Sequence, residues 1–387
     1  MSSPSPRRLV FALGTNQLLS WATAFYVPAV IAGPAAQAIG VTPAAALGGF
    51  SWALLITGFC APQVGRHIGR HGGRAPLAVS TLVLAAGLVV MAGAHGLIGW
   101  YAAWTLMGVG MALGLYDAAF ATAGSLLGSK VGPTITGITL IAGFASTVGW
   151  PAGANMLPAL GWRGTLLVYA AVQVALNLPL VLATIPAGVL AEPRRAAVPP
   201  PAGRARRAMV TCMATFFSIR WFITSAVAAN VLVLMGGLGL TAHQALIAAM
   251  LIGPGQVAGR VLEWLLAPWL GTMARARLGA LLFPAGALLL LSGQPLAVFG
   301  FALLYGMSNG ILTINRGTLP MLVLGPSGYA ALLGWLAVPV LLAQAAAPSL
   351  AAPLVGTVPA DTLFLAAAAF AGVATALLLF LRPAPTG

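Results

Sequence analysis

Four acids stand in a chain of 387 residues, and that scarcity marks the positions where ion or proton chemistry can occur. Asp117 and Glu263 lie in or at the end of long apolar runs, whereas Glu192 falls in a Pro- and Arg-rich stretch and Asp361 near a polar break. Arg220, Arg260 and Arg316 also lie in apolar runs. An ionisable group inside a membrane span costs about 2.5 to 3.5 kcal/mol on an insertion scale, so each is a functional candidate. Arg220 sits about twelve residues into its run. At about 1.5 Å per residue that depth reaches the middle of a hydrocarbon core about 30 Å thick. A guanidinium there must meet water, a partner or a ligand. It reads either as an anchor that forks onto an anionic substrate, or as part of a fixed ion pair or a cap on backbone carbonyls. Asp117 is the leading candidate to carry a proton, since a carboxylate gains proton affinity on desolvation and loses it on pairing. Arg260 and Glu263, three apart, share a helical face and read as a structural pair that ties their span to a neighbour.

The elements that position these groups follow from composition. The chain is 60% hydrophobic and 6% charged, with mean hydropathy +0.99, against about 25% charged in a soluble domain. A soluble protein is excluded. Alternation of the barrel kind is absent, so the spans are helical, and at about 20 residues each there is room for about twelve. Apolar windows place them at about 9–32, 45–64, 75–95, 98–124, 133–157, 165–187, 209–235, 243–266, 277–293, 296–318, 328–352 and 360–381. The N-terminal run is taken as a retained first span and not a signal peptide, because Asn16, Gln17 and Trp21 interrupt it and no small-residue cleavage site follows. Arg7, Arg8, Arg66, Arg70, Arg74, Lys130, Arg194, Arg195, Arg204, Arg206, Arg207, Arg275, Arg277 and Arg382 then fall on one side, which places both termini in the cytoplasm. The same rule accounts for the net charge of +14 without nucleic acid. Residues 191–208, rich in Pro and Arg, read as a cytoplasmic linker between an N-terminal six-helix half (1–190) and a C-terminal one (209–387). Cys60 and Cys212 read as small core residues.

The halves repeat one another. PQVGR (Pro62 to Arg66) matches PGQVAGR (Pro254 to Arg260), Ser20-Trp21 matches Arg220-Trp221, and GVGMALGLYD from Gly108 matches GMSNGILTIN from Gly306. All three pairs fall at offsets near 200, in order, as tandem repeats require. The stretch VGRHIGRHGGR, from Val64 to Arg74, reads as a tight turn between spans 2 and 3. It resembles the loop signature of the major facilitator superfamily (MFS) at Gly65, Gly69, Arg70, Gly72 and Arg74, with Arg66 beside the first glycine and Gly69 where that family carries an acid. Glu263 occupies the corresponding place in the second copy. The resemblance implies a secondary transporter of the MFS fold, an all-α integral membrane protein of twelve helices in two pseudo-symmetric halves, with spans 1, 4, 7 and 10 around a central cavity.

Asn16, Gln17, Ser20, Trp21, Tyr26, Tyr116, Trp221 and Asn309 would then complete a substrate pocket with Arg220. Each is equally readable as an interhelical hydrogen bond or packed core. Asp117, Asn315 and Arg316 would form the inner gate, with Asp117 and Arg316 as a charge pair that couples protons or, alternatively, only orients helices. SWATAFYVPAV and GLYDAAFA are similar to bacterial members distantly related to monocarboxylate transporters, which implies a small organic anion as substrate; a monomer in a bacterial inner membrane is expected. Gly143, Gly149, Pro151 and Gly153 faintly resemble the Gly-Pro motif of drug/proton antiporters, and close packing at a proline kink explains them as well. The rival functions are efflux of amphipathic drugs and a non-transporting membrane protein or membrane enzyme. No cofactor or metal is expected: His67, His71, His95 and His243 have no acid cluster around them, and no Walker-type loop points to ATP.

Overall fold

The computed structural model describes residues 5–188 and 203–382. Positions 189–202, with Glu192, Arg194, Arg195 and most of the expected linker, lie outside the described residues. Ten helical stretches among the described residues are long and apolar enough to cross a membrane. Nine have the length of one span, from 18 to 35 residues. The tenth, Leu97–Thr184, has 88 residues, about 130 Å of helix and roughly four times the hydrocarbon thickness, so it must fold back. It does so at the 3-10 turn Gly128–Val131 and at Gly161, whose φ of 64° and ψ of 177° break the run Ala145–Val172. Three spans result, which makes twelve among the described residues, the expected number. The protein is a multi-pass membrane protein.

Two compact units are present: Met1–Arg194 together with Gly328–Val338, and Arg195–Ser327 together with Pro339–Gly387. The first half of span 11 thus groups with the first unit, a division that the composition of the chain does not suggest. Within each unit the repeat is visible in packing. In the first, a Cβ on Gly108 of span 4 would meet the Ala53 carbonyl of span 2 at 2.6 Å. In the second, a Cβ on Gly306 of span 10 would overlap the Ile252 carbonyl of span 8. Both positions need the small residue for the backbones to approach, which is how helices gain packing energy in lipid.

One local expectation is overturned. The segment from Val64 to Arg74 is not a turn throughout: span 2 is the helix Pro43–His71, and the chain turns only at Gly72, whose φ of 85° is open to glycine, and Gly73. Gly65 and Gly69 invited the loop reading, but glycine also permits close helix contact. A Cβ on Gly65 would overlap the Ala330 carbonyl at the start of span 11, and one on Gly334 the Ala61 carbonyl of span 2. The helix runs on through Gly65 to His71, and the missing side chain lets it pack there. Span 10 likewise runs as Pro295–Leu324, through Pro320, past the expected edge at 318.

Candidate functional site

In the first unit, span 1 contains a π-helical turn at Trp21–Phe25 and span 6 another at Gln173–Asn177. Such turns shift the register of side chains and are often found at functional positions. Buried amides link the two spans. Asn16 Nδ2 donates to Asn177 Oδ1 (2.9 Å), Asn177 Nδ2 to Ser20 Oγ (3.0 Å) and Gln173 Oε1 (2.9 Å), and Gln173 Nε2 to Thr23 Oγ1 (2.7 Å). Gln17 Nε2 donates to Asn16 Oδ1 (2.9 Å) and to the Gly114 carbonyl (2.6 Å), while its Oε1 accepts from the Trp21 indole (3.2 Å). The chain of bonds runs one way, from Trp21 to Thr23, so reversing one amide disrupts its neighbours.

The expected substrate contacts therefore separate into two groups. Asn16, Gln17 and Ser20 are each no more than 1% exposed and bond to protein, the alternative left open by their sequence. Trp21, Tyr26 and Tyr116 are half-buried and form an aromatic wall: Trp21 lies 4.8 Å from Tyr116 and 6.0 Å from Tyr26, ring centroid to centroid, and Tyr26 lies 5.4 Å from Trp150. Gln173 and Asn177 were not singled out by sequence. Their signal is the amide pair QVALN, at i and i+4 in an otherwise apolar run.

Span 4 is discontinuous. It is helical over Leu97–Gly114, extended at Leu115 and helical again over Tyr116–Leu127. Gln17 satisfies the Gly114 carbonyl released at the break, and Ser80 adds a bond to the Gly110 carbonyl one turn before it (2.7 Å). Asp117 follows in the first turn of the new helix, where a carboxylate is favoured by the helix dipole. It is half-buried and close enough to act electrostatically on Tyr329.

The second unit holds the most deeply buried cation among the described residues. Arg220 is 1% exposed, its Nη2 donates to Ser308 Oγ (2.7 Å), and its guanidinium carbon lies 4.8 Å from the Phe283 ring centroid. Ser308 in turn donates to the Gly279 carbonyl (2.6 Å). Nε and Nη1 of Arg220 have no hydrogen-bond partner, and among the described residues no carboxylate stands within ion-pairing distance of it. The fixed ion pair considered from sequence is thus absent there. Thr224, one turn on, donates to Asn309 Oδ1 (3.0 Å), and Tyr305 donates to the Thr224 carbonyl (3.3 Å). Arg316 stacks on Trp221 at 5.4 Å. Asn315, fully buried, turns back on its own helix to the Ile311 carbonyl (3.0 Å).

The motif residues near the ends of spans 2 and 8 have separate partners. Arg66 lies over Trp335 (5.9 Å), Arg74 donates to the Leu182 carbonyl (2.6 Å), and Arg70 is exposed. Glu263 pairs with Arg275 of span 9 at 3.0 Å, while Arg260 reaches Gln256 at 3.5 Å. Among the described residues no cluster of three or more His, Cys, Asp or Glu could hold a metal.

No family model and no curated protein matches the sequence. In structure, the chain is similar to the human organic anion transporter MFSD10 (TETRAN), with a TM-score of 0.72 at 17% identity over 97% of this chain and 100% of that one. Twelve helical spans in two repeated halves and this likeness together show that the chain has the fold of a major facilitator transporter.

Proposed function

We propose that the protein is a secondary transporter that moves a small organic anion across the membrane by alternating access, with Arg220 as the group that meets the anion. One observation carries this reading: a guanidinium buried in a span, with two unused donor groups and no carboxylate near it. A buried charge without a partner is strongly unfavourable, and a substrate carboxylate would satisfy it by a forked hydrogen bond. The organic anion named for the similar human structure agrees with that chemistry. Arg220 is covered here, so the anion meets it in another state of the cycle, which alternating access supplies. A monocarboxylate carries the single carboxylate that this scheme requires. Asp117 carries the coupled proton, both termini face the cytoplasm of a bacterial cell, and residues 191–208 join the halves.

The test is uptake of small and aromatic carboxylates into proteoliposomes, with and without a pH gradient. Loss of a charged hydrogen bond of about 1.5 to 3 kcal/mol predicts a KM about 10- to 150-fold higher in Arg220→Met, with partial recovery in Arg220→Lys. An unchanged KM in Arg220→Met overturns the anchor. Failure to move any carboxylate, with resistance of expressing cells to lipophilic cations, replaces the anion reading by efflux.

A further inference from the structure

The helix that replaces the expected turn after Val64 brings two histidines into register. His67 and His71 stand at i and i+4 in the last turns of Pro43–His71, both exposed, with ring centroids 4.7 Å apart. In a loop the same spacing has no geometric meaning. On a helix it puts two imidazoles side by side on one face.

We propose that His67 and His71 form a binding site for a divalent transition metal such as Zn2+ or Ni2+. A metal about 2.1 Å from one nitrogen of each ring sets the two centroids about 4.5 to 5.2 Å apart for bond angles between about 90° and 110°. The observed separation lies in that window, so rotation of the two exposed rings can turn one nitrogen of each toward a shared metal. Water completes the shell, because both side chains face solvent.

Three arginines are near in sequence, and their placement decides whether a cation is tolerated. Arg66 is turned over Trp335, and Arg74 is bonded to the Leu182 carbonyl, which leaves Arg70 as the one neighbour in this segment without such a contact. The C-terminal end of a helix offers a partial negative charge in the same place. A bound metal would cross-link the last turn of span 2 immediately before Gly72 and Gly73, the point at which the chain reverses, and hold that turn helical.

The experiment uses the full chain in detergent with any polyhistidine tag removed. Titration with Zn2+ and Ni2+ at pH 8 is expected to show one metal per chain, bound at least tenfold more weakly by His67→Ala and by His71→Ala and equally well by His243→Ala. Metal is also expected to protect His67 and His71, but not His95 or His243, from diethylpyrocarbonate. Stoichiometry well below one, or binding that survives both substitutions, overturns the site. Because the readout is binding, it stands or falls apart from the transport reading.

Discussion

Replacing Asn177 by leucine removes the centre of the clasp between spans 1 and 6. Three hydrogen bonds go with it, those to Asn16, Ser20 and Gln173, at 2.9, 3.0 and 2.9 Å. Interhelical hydrogen bonds in membrane proteins contribute about 0.6 kcal/mol on average and at most about 1.7, so three give about 2 kcal/mol. Leucine has nearly the same bulk and leaves no large cavity, but it strands the Asn16 amide in a site that is 1% exposed. That orphaned donor adds about 1 kcal/mol, for a total of about 3. The assay is SDS unfolding of the purified protein in mixed micelles, followed by circular dichroism. A cycle of Asn16→Ala, Asn177→Ala and the double variant isolates the direct bond, with an expected coupling of about 0.6 to 1.7 kcal/mol. If Asn177→Leu unfolds at the wild-type SDS fraction, or the cycle closes with no coupling, the clasp does not hold the helices as described.

Two further substitutions follow from the same reasoning. Glu263→Gln leaves Arg275, only 11% exposed, without its carboxylate, and should destabilise the protein by about 3 kcal/mol in the same unfolding assay. Gly334→Ala should cost about 1 to 3 kcal/mol, since its methyl group overlaps the Ala61 carbonyl, whereas Gly69→Ala, whose methyl would stand 3.5 Å from Ala330 Cβ, should be neutral or stabilising by up to about 1 kcal/mol. Equal effects at the two glycines would show that contact with the start of span 11 is not what distinguishes them.

Hydropathy alone located the spans, because a run of about 20 apolar residues has few alternatives to crossing a bilayer. The repeat was also legible: Gly108 and Gly306, matched by offset, make equivalent backbone contacts in the two units. The direction of a side chain was not. Gln17 and Trp21 stand one turn apart on span 1 and bond to each other, yet one is fully buried and the other is half-buried in an aromatic wall, and the π-helical turn that begins at Trp21 changes the register that a regular helix would predict beyond it. Span 2 was shortened in the sequence reading for a related reason. Gly, His and Arg mark a turn when backbone contacts are unknown, whereas the helix runs on to His71 and uses Gly65 for close approach to Ala330.

The clasp between spans 1 and 6 also sets an order of events during synthesis. Its members are amides and hydroxyls with no formal charge, so each span can enter the bilayer separately at modest cost. Span 1 emerges first and carries Asn16, Gln17 and Ser20 into lipid, while Gln173 and Asn177 arrive more than 150 residues later. Until then, the nascent chain holds buried amides whose final partners have not been made. The last helix of the first half thus completes the hydrogen bonding of the first, and the buried network closes only when the two ends of that half meet.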